Sequence, residues 1–332
     1  MTMELRTIKT QLVRNVRTLV TRNVADQIND SMFLQGRMAS WHVRSLQSIE
    51  SLQDAEFKVF SQWGQDGIID WIIERAAIPP RLHTFIEFGV GDYSEANTRF
   101  LLENRNWRGL IIDGDPALAD LPIRDPRHHR VDLTAKSAFI YRDNINDLFS
   151  DAAFTGEIGL LSIDIDGNDY WVWEAIEVVQ PVIVICEFNS TFGDLHPVSV
   201  PYDPQFVCGV TQPNRLYYGA SLPALSALAT RKGYRLLGTT MVGNDVFFIR
   251  EDYAPRLDSA LKNIVAHPSK CPMPMDMDGT GKFKWFSGID RLKSIATLPL
   301  INTETGKTVT LAELGDVYSD DWLQQTTPSL SR

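Results

Sequence analysis

The chain of 332 residues is poor in the features that mark several protein classes. Its three cysteines, Cys186, Cys208 and Cys271, lie far apart and form no C-x-x-C pair, so neither a disulfide framework nor a thiolate zinc site is expected. A reducing cytoplasmic setting suits such a chain. No stretch of about 18 apolar residues occurs, and the N-terminus lacks the apolar core of a secretion signal, which predicts a chain that neither spans a membrane nor is exported. Positive charge is also scarce. With 32 Lys and Arg against 42 Asp and Glu, the net charge of −10 gives the global field the wrong sign for a nucleic-acid scaffold, and no nucleic-acid partner is expected. What is plentiful is apolar residues, 44% of the chain, enough for one large α/β core or two unequal domains.

The central stretch runs from Thr84 to Ser94. Phe85, Ile86 and Phe88 form an apolar run interrupted by Glu87, and they meet Gly89 and Gly91 where a helical pattern over 95–104 begins. This reads as a buried strand, a tight turn and a helix start. Glycines there let the backbone approach a ligand closely. A fold that grips a pyrophosphate uses three glycines as G-x-G-x-x-G. Here the third place is held by Ser94, and Glu87, Asp92 and Glu95 crowd the turn. A diphosphate would be repelled, whereas a ligand with a cationic centre and a ribose, such as S-adenosylmethionine, would not.

Further along, Gly109 to Asp113 is a second short apolar run ending in an acid, which makes Asp113 the candidate to accept ribose hydroxyls; Asp115 suits a helix cap. A third strand lies within 131–140, a short helix over 144–149, and a fourth strand over 158–164 enters the densest acidic cluster, Asp164, Asp166 and Asp169. A helical pattern covers 170–179, with Asp169 placed to cap it. A β-branched fifth strand over 181–187 ends in Glu187 and Asn189. The Pro-rich and aromatic stretch 190–220 reads as a lid carrying His196. A helix over 221–232 precedes a hairpin of 234–240 with 245–250. Five strand-helix units closed by a hairpin place an antiparallel strand in an otherwise parallel sheet, a Rossmann-like α/β fold.

On both flanks the pattern changes. Residues 1–24 place Leu5, Ile8, Leu12, Val16, Leu19 and Val20 three and four apart, with Arg6, Lys9, Arg14, Arg17 and Arg22 between them: a basic amphipathic helix that would either pack on the fold or a second copy, or dock on a partner or the inner face of a membrane. The expected division is an N-terminal helical extension over 1–58, a ligand-binding domain over 59–252 and a C-terminal appendage over 253–332.

Five motifs together, Phe85-Ile-Glu-Phe-Gly-Val-Gly-Asp92, Ile112-Asp-Gly-Asp-Pro116, Ser162-Ile-Asp-Ile-Asp-Gly-Asn-Asp-Tyr-Trp171, Ile185-Cys-Glu-Phe-Asn189 and Gly243-Asn-Asp-Val-Phe-Phe248, resemble the class I S-adenosylmethionine-dependent methyltransferases, close to the FkbM-type group associated with methylating sugars of surface polysaccharides and natural products. The resemblance covers residues 60–250. The group's usual acid-Pro pair after the second strand stands here as Asp113-Gly114. It implies an O-methyltransferase in which Glu87, Gly89 and Gly91 shape the methionine and ribose side, Asp113 holds the ribose and Asp164 lies beside the methionine moiety or the acceptor. For the acceptor proton, two schemes stay open. Either a carboxylate of Asp164, Asp166 or Glu187, or the imidazole of His196, is the base, or Asp164, Glu187 and Asn189 hold Mg²⁺ that activates the hydroxyl of a glycan or small molecule. A reading of another class is a non-catalytic docking or assembly protein that keeps the fold.

Overall fold

In a computed structural model, the structure describes residues 28–121, 130–211, 215–269, 273–277, 283–286 and 289–326. The helix expected over 1–24 lies outside the described residues. Seven strands form the central sheet: β1 (Thr84–Phe88), β2 (Arg108–Asp113), β3 (Leu133–Ser137), β4 (Gly156–Ile163), β5 (Val179–Glu187), β7 (Tyr234–Thr239) and β8 (Asp245–Arg250). A two-residue strand, β6 (Val198–Ser199), lies outside that sheet. The order is β3-β2-β1-β4-β5-β8-β7; the first five strands run parallel, and β8 is antiparallel to both of its neighbours. The expected hairpin therefore inserts its second strand beside β5. Successive strands are added toward one edge from β1 to β3 and toward the other from β4 onward, and in open α/β sheets that switch point, between β1 and β4, is where ligands bind.

Alternation within each strand serves two cores. Ile86, Phe88, Leu161, Ile163, Val184 and Phe248 face one layer, with helices α4 (Ile145–Asp151), α5 (Asp169–Ala175) and α6 (Leu222–Arg231). Phe85, Leu160, Ile183, Ile185 and Phe247 face the other, with α2 (Gln65–Arg75) and α3 (Arg99–Arg105). Burial on both faces is why these strands read as nearly continuous apolar runs. The 28–45 stretch is a helix, α1, tied to the body by the buried Ser40 hydroxyl on Asp70 and by Arg44 on Glu74 at 2.8 Å. Asp70 also pairs with Arg105 of α3 at 2.7 Å.

Two boundaries differ from expectation for physical reasons. Helix α3 starts at Arg99 rather than 95, because Glu87 holds the amides of Asn97 and Thr98 in a loop. Helix α5 stops at Ala175, since Ile176 is already extended and the chain enters β5 at Val179. After β8 the chain returns to the core: β11 (Leu300–Asn302) pairs with β6 and with β12 (Thr308–Val309), and Leu300, Leu311, Val317 and Trp322 join the first core. Between them, β9 (Met273–Met277) and β10 (Phe283–Phe286) form a separate hairpin.

Candidate functional site

The glycine turn is dictated by close approach. Gly89 has φ +80, and a Cβ there would stand 1.3 Å from the Asp164 carbonyl oxygen, so only glycine lets the exits of β1 and β4 lie against each other. Gly91, at φ +53, has open space where a side chain would be, and its amide donates to Asp113 Oδ2 at 2.8 Å. The other oxygen of Asp113 accepts from the Asp115 amide at 2.8 Å, and Asp115 caps the short turn after it by accepting from Ala117. Gly89, Gly91 and Asp113 all line one cleft of about 470 Å³ at the carboxyl edge of the sheet.

Glu87 does not line that cleft. Its buried carboxylate accepts from the Asn97 amide at 2.8 Å, the Thr98 amide at 3.0 Å and the Thr98 hydroxyl at 2.5 Å. Burial holds its carboxyl up to about 7, while those three donors work in the opposite direction. The contact with the cofactor expected of Glu87 is thus replaced by a scaffold role: it fixes the loop that leads into α3.

On the other side of the switch point, Asp164 and Asp166 follow β4 and Glu187 ends β5. Carboxylate oxygens of the three lie within 4.8 Å of one another. Asp164 and Asp166 line the cleft, and Glu187 stands beside them outside its lining. Burial drives Asp164 well above the ordinary carboxylate range, and repulsion by Asp166 and Asp245 adds to it; Glu187 is pushed the same way by burial and then by Asp164. Burial also raises Asp166, against the attraction of Arg215. Glu187 Oε1 accepts from the Tyr218 hydroxyl at 3.3 Å, and its buried Oε2 has no donor among the described residues. Asp169 has a different task. Its two oxygens accept from the Ile165 amide at 2.8 Å and the Gly167 amide at 2.9 Å, so it shapes the acidic loop from beneath.

Two expected site residues are elsewhere. The Asn189 amide donates to the Leu216 and Tyr218 carbonyls at 2.7 and 3.0 Å and accepts from Thr191 at 3.0 Å, which commits it to tying the 190–220 stretch together. Asp166 completes the cluster that Asn189 was expected to join. His196 places Nε2 2.9 Å from the Asp316 carbonyl and does not line the cleft, so it is not positioned as a base. The remaining cleft wall includes Phe139, Ile140, Phe206, Cys208 and Arg215. Gly167 makes room for Phe206, since a Cβ would meet that ring at 2.5 Å. The aromatic content of 190–220 signals this wall, whereas nothing in the sequence around Arg215 singles it out.

No family model matches the chain, and neither does any curated protein. Solved structures with similar folds include the N-terminal domain of EvdMO1 with SAH bound, at 12% identity over 64% of this chain and 95% of that one, with a TM-score of 0.37. Others are mitomycin 7-O-methyltransferase MmcR, at 14% identity over 56% of each chain and 0.32, and an O-methyltransferase family protein from Burkholderia thailandensis, at 11% over 66% and 71% and 0.33. The strand order of the sheet, rather than these scores, carries the fold assignment.

Proposed function

We propose that the chain is an S-adenosylmethionine-dependent O-methyltransferase whose acceptor is a sugar hydroxyl, or that of a similar hydroxylated small molecule, of the kind found in surface polysaccharides and natural products. The observation that carries this reading is the meeting, in one cleft at the switch point, of the Gly89 to Gly91 turn and Asp113 with Asp164 and Asp166. The residues fit the cofactor. Open space beside Gly91 admits a ligand against the backbone, Asp113 retains lone pairs for ribose hydroxyls, and the local charge is negative, as a sulfonium requires.

When bound, S-adenosylmethionine supplies an electrophilic methyl group. The protein's part is to orient the acceptor oxygen and take its proton as the new O–C bond forms. Asp164 and Glu187, both held above their ordinary range, cannot both be ionised cheaply, so the pair holds one proton and its ionised member accepts the second from the hydroxyl. The same oxygen donors, Asp164, Asp166 and Glu187, suit Mg²⁺, which would take the place of the shared proton and lower the pKa of the acceptor hydroxyl. A docking module has no use for such converging acids.

Calorimetric titration with S-adenosylhomocysteine and with NAD⁺ tests the cofactor, and binding of NAD⁺ alone, or of neither, overturns the proposal. Transfer of labelled methyl to a panel of sugars, with and without chelator, then separates the proton-sharing pair from the ion: full activity in excess chelator removes Mg²⁺.

A further inference from the structure

Methyl transfer as proposed leaves one charged residue of the cleft without a task. Arg215 is the only cation among the described residues that line it, set against Asp113, Asp164 and Asp166. A sulfonium has no use for a cation nearby. The group that Arg215 suits is an anion.

The chain fixes this side chain at its base and leaves its end free. Leu216, the next residue, is fully buried, and its carbonyl accepts from the Asn189 side-chain amide at 2.7 Å; the Arg215 carbonyl itself lies 3.8 Å from Cys208 Sγ. Gly209, at φ +74, gives the stem its room, because a Cβ there would stand 3.3 Å from both Cγ and Nε of Arg215. Arg215 is exposed, and among the described residues its guanidinium has no hydrogen-bond or ion-pair partner. Its attraction still reaches Asp166, where it opposes the rise that burial imposes. Asp166 in turn lies within 4.8 Å of Asp164 and Glu187, so Arg215 works at the part of the cleft where the acceptor loses its proton.

We infer that Arg215 selects an acceptor bearing a carboxylate, a uronic acid rather than a neutral hexose, by taking that carboxylate on its guanidinium while a ring hydroxyl faces Asp164 and Glu187. This rests on the methyl-transfer reading and narrows its substrate. The planar fork of Arg matches the two oxygens of a carboxylate. One cation offsets one negative charge, whereas a phosphate ester or diphosphate would bring more charge than Arg215 can offset beside Asp113 and Asp166.

Titration of the protein saturated with S-adenosylhomocysteine tests the inference, with glucuronate, galacturonate and mannuronate set against glucose, galactose and mannose, and with glucose 1-phosphate. At least one uronate should bind about tenfold or more tighter than its neutral hexose, and the preference should shrink with salt. Arg215→Gln should abolish the preference, and Arg215→Lys, a point charge without the fork, should keep only part of it. Affinity for S-adenosylhomocysteine and melting temperature should stay at wild-type values in both variants. Equal binding of uronates and hexoses, or binding of neither, overturns the inference and leaves the cofactor reading standing. Tighter binding of the sugar phosphate overturns the choice of a carboxylate. A loss of S-adenosylhomocysteine affinity in Arg215→Gln also overturns it, by assigning the guanidinium to the cofactor's own carboxylate. Failure of S-adenosylhomocysteine to bind the unaltered protein removes the reading beneath the inference.

Discussion

Replacing Gly89 by Ala tests the geometry on which the site depends. The new Cβ would stand 1.3 Å from the Asp164 carbonyl oxygen, and ordinary contact begins at 3.4 Å, so the turn and the end of β4 must part by about 2 Å. Two costs follow. Alanine in the left-handed region is unfavourable by about 1–2 kcal/mol. Parting the strand ends weakens one or two ladder hydrogen bonds next to the Phe88 and Ile163 pair, each worth about 1 kcal/mol. The sum, about 2–4 kcal/mol, corresponds to a melting temperature lower by roughly 3–6 °C in a chain of this size. Binding should suffer more. A shift of 2 Å exceeds the tolerance of a hydrogen bond, and losing one or two bonds to the ligand weakens S-adenosylhomocysteine by about 10–100-fold. Gly91→Ala is the control: it meets no atom within 4 Å and bears only the backbone strain, so its melting temperature should fall less. Calorimetry and thermal melts on both variants decide the matter. A Gly89→Ala protein with wild-type stability and affinity would refute the close approach of the two strand ends as the basis of the site.

Burial raises Asp66, Asp169 and Asp245 to about 6 and Glu87 to about 7, so the folded chain holds these protons more tightly than the unfolded one. Their contribution is full below the unfolded values near 4 and is lost as pH rises through 6 to 7, about 3 kcal/mol for Asp245 alone. Melting temperature should therefore fall between pH 5 and pH 8, and Asp245→Asn should flatten that profile; an identical slope in the variant would contradict the assignment. Glu187→Gln removes one of several crowded acids and keeps an acceptor for Tyr218, so it should raise the melting temperature while depressing turnover at least tenfold. Lower stability combined with normal turnover would take Glu187 out of the site. His196→Ala should leave turnover within about twofold and cost about 1 kcal/mol, the worth of its bond to the Asp316 carbonyl; a large loss of turnover with intact S-adenosylhomocysteine binding would put the imidazole back at the reaction.

The strands and the glycine turn were legible in the sequence because each is decided locally. Phe85, Ile86 and Phe88 meet two glycines whatever the rest of the chain does, and the antiparallel strand in the sheet follows from a hairpin closing a series of strand-helix units. Asp113 and Asp164 could be placed because the end of a parallel strand in such a sheet is a fixed address. Asn189 and His196 could not, since their roles are set by partners far along the chain: Leu216 and Tyr218 for one, Asp316 for the other. Glu87 was legible as an acid at a strand end, but its partners at 97 and 98 depend on a loop path that no periodicity encodes.

The pairing of β11 with β6 brings residues near 300 onto residues near 198, and the Tyr318 hydroxyl onto the Thr191 carbonyl at a separation of 127 positions. Contacts closed over such long stretches are made late, because the loop entropy must be surrendered before they return anything. The stretch between β5 and α6, which carries the Phe206 and Arg215 wall, is therefore clamped by a part of the chain about a hundred positions further on. In pulse-labelled hydrogen exchange during refolding, the amides of Asp194 and Leu195, which donate to the Val317 carbonyl, and of Thr303, which donates to the Pro197 carbonyl, should gain protection after those of Ile86 and Leu161, so the cleft acquires its second wall only once the sheet already stands.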